Sequence, residues 1–334
     1  MKLYPWQQKQ WQHLLQRRQS GQLAHAFLFY GVEGLGKLDF ARAFSELMLC
    51  VAPVADHPCG QCRSCRLLQA GNHPDLLLLQ PEEKSKVIKI DQVRSLSADF
   101  NQTAQQGGYK IAIIAPAEAM NLAAANALLK TLEEPTEETL LILVSAKPQS
   151  LPATIRSRCQ TLAFLPPEKD MARRWLLEQG VDKAISEGNV DIILGLTDYA
   201  PLKALELAGN TNLLLVQQSW WVDLFKLLNS EIDPIVLASQ YKETDLTLFC
   251  TYLLNLIGDL LKIRSTLSQY CTILCDENSL KVVQPLVEKI NSDKLFAFFD
   301  KLLNLEKHLL LGINLNKQLV LEDLFISWVN LYAN

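Results

Sequence analysis

The stretch "AHAFLFYGVEGLGKLDFARAF", residues 24–44, decides the fold class. Ala26 to Gly31 is an unbroken apolar run, the pattern of a strand buried on both faces rather than one. Gly31, Gly34 and Gly36 follow, then Lys37, then apolar spacing that predicts a helix from Leu38 to Cys50. Strand, glycine-rich turn, lysine and helix make a phosphate-binding loop: backbone N–H groups curl toward an anion, the lysine reaches a phosphate, and the helix N-terminus adds its dipole. A plainer reading has the glycines only making a tight strand-to-helix turn. The residue after the lysine normally supplies a hydroxyl to Mg²⁺. Here it is Leu38, which ligates no metal.

Working outward, four more short aliphatic runs read as strands: residues 75–79, 110–115, 139–146 and 160–164. Helices fit between them, one from Asp91, a candidate N-cap, to about Ala104, and one in "NLAAANALLKTLEEP" ending at Pro135. The alternation predicts an α/β domain, a parallel sheet with helices on both faces. The acidic pair that completes a Mg²⁺ site belongs at the end of the third strand, where Pro116 and Ala117 stand with only Glu118 nearby. The expectation is a loop that holds nucleotide weakly, through Gly31, Gly34, Gly36 and Lys37, and does not hydrolyse it.

Four of the eight cysteines fall in "CVAPVADHPCGQCRSC", spaced Cys50-x8-Cys59-x2-Cys62-x2-Cys65. Four thiolates so spaced suit tetrahedral zinc with no open position, a structural site. An iron–sulfur cluster uses an overlapping ligand set, and His57 is a possible substitute ligand in the same knuckle. Disulfides do not suit a reducing cytosol. Cys250, Cys271 and Cys275 lie among apolar helical residues and read as buried small hydrophobes.

The net charge of −4 is uneven: residues 1–166 hold 17 Lys+Arg against 14 Asp+Glu, and residues 167–334 hold 15 against 22. That argues against a freestanding DNA-binding protein. The N-terminus is too polar for a signal peptide and no uninterrupted apolar run of about 18 residues appears, so a cytoplasmic chain without a membrane partner is expected. Eleven of the 14 prolines precede residue 170, and "FLPPEKD" (164–170) marks a joint between a mixed front and a helical back.

After the fourth strand, "KPQSLPATIRSRCQTLAF" places Arg158 at the sheet edge, outside its own phosphate loop. It either pairs with an acidic residue of the next domain or is offered to a neighbouring subunit. In order over residues 3–160, "LYPW", "AHAFLFYGVEGLGK", the cysteine segment followed by "AGNHPD", "NALLKTLEEP" and "SRC" resemble the bacterial DNA polymerase III clamp-loader subunits of the extended AAA+ family, and the degenerate loop places the likeness among the non-motor members. The resemblance implies that Arg158 is an arginine finger acting in trans on a motor subunit's ATP, with Cys159 as a packing residue. It implies an AAA+-like domain over 1–166 with an inserted zinc knuckle (about 50–65), a small helical lid over 167–208 and an all-helical collar over 209–334. It further implies a stator-like member of a five-subunit ring, without intrinsic ATPase or polymerase activity. The partners are motor (gamma/tau-type) and delta subunits, with the sliding clamp and primed DNA met through the complex. In "LTDYAPLKALELA", Leu202 stands where a motor's sensor arginine belongs, with Lys203 one position off, while Ser145 fits a first polar sensor. The enzyme alternative is an active AAA+ ATPase motor subunit of the same complex. Broad apolar faces in the back half, with Trp220 and Trp221 adjacent, read mainly as core with an excess for a subunit interface.

Overall fold

Every apolar run predicted as a strand is one. The computed structural model describes residues 3–82, 85–180, 187–209, 211–265, 287, 290–310 and 313–331, and for 187–189, 211–218 and 310 the backbone alone. Cys271 and Cys275 lie outside the described residues. The chain divides into two compact units, Met1–Pro167 and Glu168–Asn334.

The first unit opens with a 3₁₀ turn, Pro5–Gln7, and α1 (Gln8–Gln19). Strand β1 (Ala26–Tyr30) runs into α2 (Lys37–Leu49), followed by α3 (Arg63–Gln69) and β2 (Leu76–Leu79). Then come α4 (Ile90–Phe100), β3 (Lys110–Ile114), α5 (Leu122–Glu133), β4 (Thr139–Ser145), α6 (Ala153–Arg156) and β5 (Gln160–Ala163). The five strands form one parallel sheet in the order β2-β3-β4-β1-β5. Chain order reverses beside β1, and in open parallel sheets ligands bind outside the carboxyl ends of the strands at such a point.

The pleat explains why the strands are apolar throughout. Ala26 and Leu28 face a core shared with Val93, Leu96 and Phe100 of α4 and Leu128 and Leu132 of α5. Phe27 and Phe29 face the other way, where Phe29 meets Phe40 and Phe164 at ring-centroid distances of 5.6 Å each, and Trp11 meets Phe40 and Phe44. Helix α4 departs from expectation. Its N-cap is Lys89 rather than Asp91, because Gln92 Oε1 accepts from the Lys89 N–H at 2.9 Å, and Asp91 lies in the first turn. It ends at Phe100, the last residue of its apolar face, not near Ala104.

The second unit is helical: α7 (Lys169–Glu178), α8 (Glu187–Leu196), α9 (Pro201–Ala208), α10 (Thr211–Leu228), α11 (Pro234–Gln240), α12 (Leu246–Arg264), α13 (Ser292–Leu310) and α14 (Lys317–Val329). One apolar core runs from Ala172 to Leu331. Trp220 belongs to that core, edge-on to Phe249 and Tyr252, so it is no surface feature; Trp221 packs at its margin. The exposed apolar side chains include Val222, Ile235, Val236, Phe296 and Leu319. Cys250 is buried, as expected. Helix α12 has the length and composition to cross a bilayer, but half of its apolar window is buried inside the unit, including Asp259 beside Lys262 at 3.1 Å.

Candidate functional site

The loop between β1 and α2 has the shape of a phosphate cradle, and its lysine and four of its carbonyl groups are already engaged. Gly31 has φ +148°, and a Cβ there would fall 2.1 Å from the Phe164 carbonyl oxygen, so glycine lets the ends of β1 and β5 meet. Gly36, at φ +74°, caps α2 under the Tyr4 ring. Lys37 is 6% exposed and turns back: its Nζ donates to the carbonyls of Gly31 (2.7 Å) and Val32 (2.6 Å). Burial lowers its pKa from 10.5 to about 8, against the upward pull of Glu118 and Glu33.

Residues 4–7 strap the other side. Trp6 Nε1 and Gln7 Nε2 donate to the Leu35 carbonyl at 3.1 and 2.8 Å, Gln7 also to that of Gly36 at 3.0 Å, and Tyr4 stacks on Trp6. The Tyr4 hydroxyl donates to Asp39 at 2.8 Å, and that carboxylate occupies the first turn of α2, where an anion would otherwise benefit from the dipole. Glu118, the carboxylate nearest the end of β3 in sequence, is half engaged: its Oε1 accepts from the N–H groups of Ala146 and Lys147, and its buried Oε2 has no hydrogen-bond partner. Ala117 is fully buried, and so is Ser145, whose Oγ accepts from the Lys147 N–H. In the second unit, Leu202 and Lys203 lie on α9.

At the opposite end of α2, the sulfurs of Cys50, Cys59, Cys62 and Cys65 lie within 4.8 Å of one another. A tetrahedron with metal–sulfur bonds of about 2.3 Å has edges of about 3.8 Å; the Cys59 and Cys65 sulfurs are 3.9 Å apart. Backbone N–H groups of Cys59, Cys62 and Cys65 donate to the sulfurs of Cys50, Cys59 and Cys62, the arrangement that stabilises thiolates. At Cys62 burial pulls upward, but N–H and thiol donors outweigh it and bring the thiol to about 6, while burial and the neighbouring thiols push Cys65 up to about 12. The four residues can hold a metal ion and leave no protein position open. His57 stands apart, its Nδ1 on the Ala55 carbonyl.

Behind the knuckle runs a buried chain that the sequence did not disclose. The Asp75 N–H donates to His73 Nδ1 (3.1 Å), which leaves Nε2 as the protonated nitrogen, 2.7 Å from Ser64 Oγ, and Ser64 donates to the Leu49 carbonyl (2.6 Å). Asp75 accepts from the N–H groups of Gln105 and Gln106. Ser64 and Leu49 each adjoin a cysteine of the group, so the chain fixes Cys65 and Cys50. It is no nucleophile–base pair, because the serine proton points to a carbonyl and the histidine is a donor.

Arg158 lies just past α6 on the surface of the first unit. Its Nη2 is 2.7 Å from Glu133 Oε1, and its Nη1 donates to the Thr154 carbonyl at 3.0 Å. Its acidic partner is thus in its own unit, at the end of α5. Cys159 is buried, and desolvation raises its thiol to about 12, which makes it a packing residue rather than a nucleophile.

Two family models match the chain, DNA polymerase III, delta subunit over residues 6–168 and the C-terminal model of the same description over 221–330. DNA polymerase III subunit delta′ of Pseudomonas aeruginosa is 38% identical over 330 residues, 98% of each chain. The chain belongs to the DNA polymerase III subunit delta′ family. The delta′ subunit of Escherichia coli is 31% identical, over 98% of this chain and 95% of its own. Subunit tau/gamma of Haemophilus influenzae matches less of it, 38% identical over 137 residues, 41% of this chain and 20% of its own. Within this delta′-family chain, "LYPW", "LEEP" and "AGNHPD" gain physical roles that spacing alone did not supply: the strap on the loop, the Glu133 partner of Arg158, and the His73 link behind the cysteines.

Proposed function

We propose that this chain is a non-hydrolysing, stator-like clamp-loader subunit that completes a neighbour's ATP site. It would sit in a five-subunit ring with motor (tau/gamma-type) and delta subunits in the cytoplasm and help load a sliding clamp onto primed DNA. Residues 167–208 would serve as lid and 209–334 as collar, and Cys50, Cys59, Cys62 and Cys65 would hold structural zinc.

One contrast carries this function: Lys37 is spent on its own loop's carbonyls, while Arg158 stands at the surface, 38% exposed. Leu38 and the Pro116–Ala117 pair remove the Mg²⁺ ligands a motor needs, and Glu118 is tied to backbone N–H groups. A surface arginine at a domain edge can stabilise charge on a phosphoryl group transferred in the adjoining subunit, worth about 10³–10⁵ in rate.

The test is ATP turnover by the isolated chain and by the complex reconstituted with motor and delta subunits. The isolated chain turns over no Mg²⁺–ATP, and Arg158→Ala silences the adjoining motor site. Full activity of the Arg158→Ala complex, or hydrolysis by the isolated chain that Lys37→Ala removes, contradicts the proposal.

A further inference from the structure

We infer that Glu133 is the positioning residue of Arg158, holding the guanidinium at the surface so that it is delivered pre-formed; this rests on the trans role proposed above. Two anchors from different elements fix the planar fork. Glu133 Oε1, on the last residue of α5, takes Nη2 at 2.7 Å, and the Thr154 carbonyl, in the short helix α6, takes Nη1 at 3.0 Å. A guanidinium has five N–H donors, so two anchors leave capacity for an outside oxyanion.

Two features set this pair apart from an incidental surface contact. Glu133 and its neighbour Glu134 place carboxylates at the C-terminus of α5, where the helix dipole disfavours negative charge, so local helix energetics do not account for Glu133. The pair is also open to solvent, 38% and 50% exposed, and an exposed ion pair adds little to stability. What it does supply is order. A free arginine on a surface samples many rotamers, and a finger so disordered must be immobilised each time it meets a phosphate. With Glu133 behind it, that ordering is complete before the neighbour arrives.

The experiment measures kcat and KM for ATP in the complex reconstituted with motor and delta subunits. Glu133→Ala lowers kcat at the adjoining site about 2- to 10-fold, the scale of ordering one long side chain, and leaves KM unchanged. Glu133→Gln keeps an acceptor oxygen and retains activity within about twofold. Glu133→Lys, which repels the guanidinium without removing bulk, falls at least as far as alanine. The double variant Glu133→Ala/Arg158→Ala is no slower than Arg158→Ala alone, because a positioning residue has nothing left to position; a residue that only supports the fold gives an added loss. A low rate for Arg158→Ala beside a full rate for Glu133→Ala and Glu133→Lys, an added loss in the double variant, or equal losses for alanine and glutamine each overturn the inference while the trans role stands. A full rate for Arg158→Ala removes both.

Discussion

Gly31→Ala separates two reasons for a glycine in a phosphate loop. The added Cβ would lie 2.1 Å from the Phe164 carbonyl oxygen, with the Phe164 carbonyl carbon at 3.1 Å. Those atoms are backbone and have no rotamer to escape into. Phe164 is itself pinned: it is 1% exposed, its N–H donates to the Tyr30 carbonyl at 2.7 Å, and its ring lies 5.6 Å from Phe29 and 5.0 Å from Phe40. Reaching even a 3.0 Å separation requires 3.0 − 2.1 = 0.9 Å of movement between the ends of β1 and β5. Alanine held at φ +148° costs about 1–3 kcal/mol of backbone strain, and forced repacking about 1–3 more, so the loss is about 2–6 kcal/mol. Gly21→Ala is the control. At φ +68° with open space around it, it carries only the left-handed penalty of about 1 kcal/mol. Because the chain has two units, native-state hydrogen exchange at the amides of Phe164 and residues 27–30 reads the loss locally. A Gly31→Ala cost no larger than that of Gly21→Ala refutes the close-approach explanation and returns Gly31 to anion binding alone.

Two further expectations concern the metal and the lysine. The pure chain carries one zinc, chelation exposes residues 50–65 to exchange, and His73→Ala weakens zinc binding about 10- to 100-fold in chelator competition; an unchanged affinity would detach the Ser64–His73 chain from the metal site. Burial pulls the folded-state pKa of Lys37 down from its ordinary 10.5 to about 8. The unfolded chain therefore binds more protons between these values, and stability rises with pH across that window. Relative to Lys37→Met, the wild type should gain up to about 3 kcal/mol from pH 8 to 10.5 and show no slope near pH 6–7. A midpoint near 10.5 by NMR would place the amine in solvent and contradict the inward pose.

Five strands and their parallel pairing were legible because buried-both-sides strands are continuous aliphatic runs, and the cysteine group was legible because ligand spacing is local. Helix limits were less so: the Gln92 side chain reaching back to Lys89 outcompetes Asp91 as a start signal, which composition does not reveal. The direction of Lys37 was illegible, since "GLGK" reads the same whether the amine meets a phosphate or its own carbonyls. Glu133 and Arg158 are 25 residues apart and meet only because α5 and α6 pack against the same sheet face. The His73–Ser64 link likewise needs β2 and α3 in place before the two side chains touch.

The most direct test is the position of the Arg158 guanidinium in a cryo-electron microscopy structure of the reconstituted complex, with ADP–beryllium fluoride in the motor sites. The trans role of Arg158 requires guanidinium nitrogens within about 3 Å of the γ-phosphate mimic of the adjoining subunit, the hydrogen-bond range, with Glu133 still behind the fork. An Arg158 that remains on Glu133 and Thr154 with no phosphate mimic in reach, while the neighbour's site is closed and occupied, contradicts it.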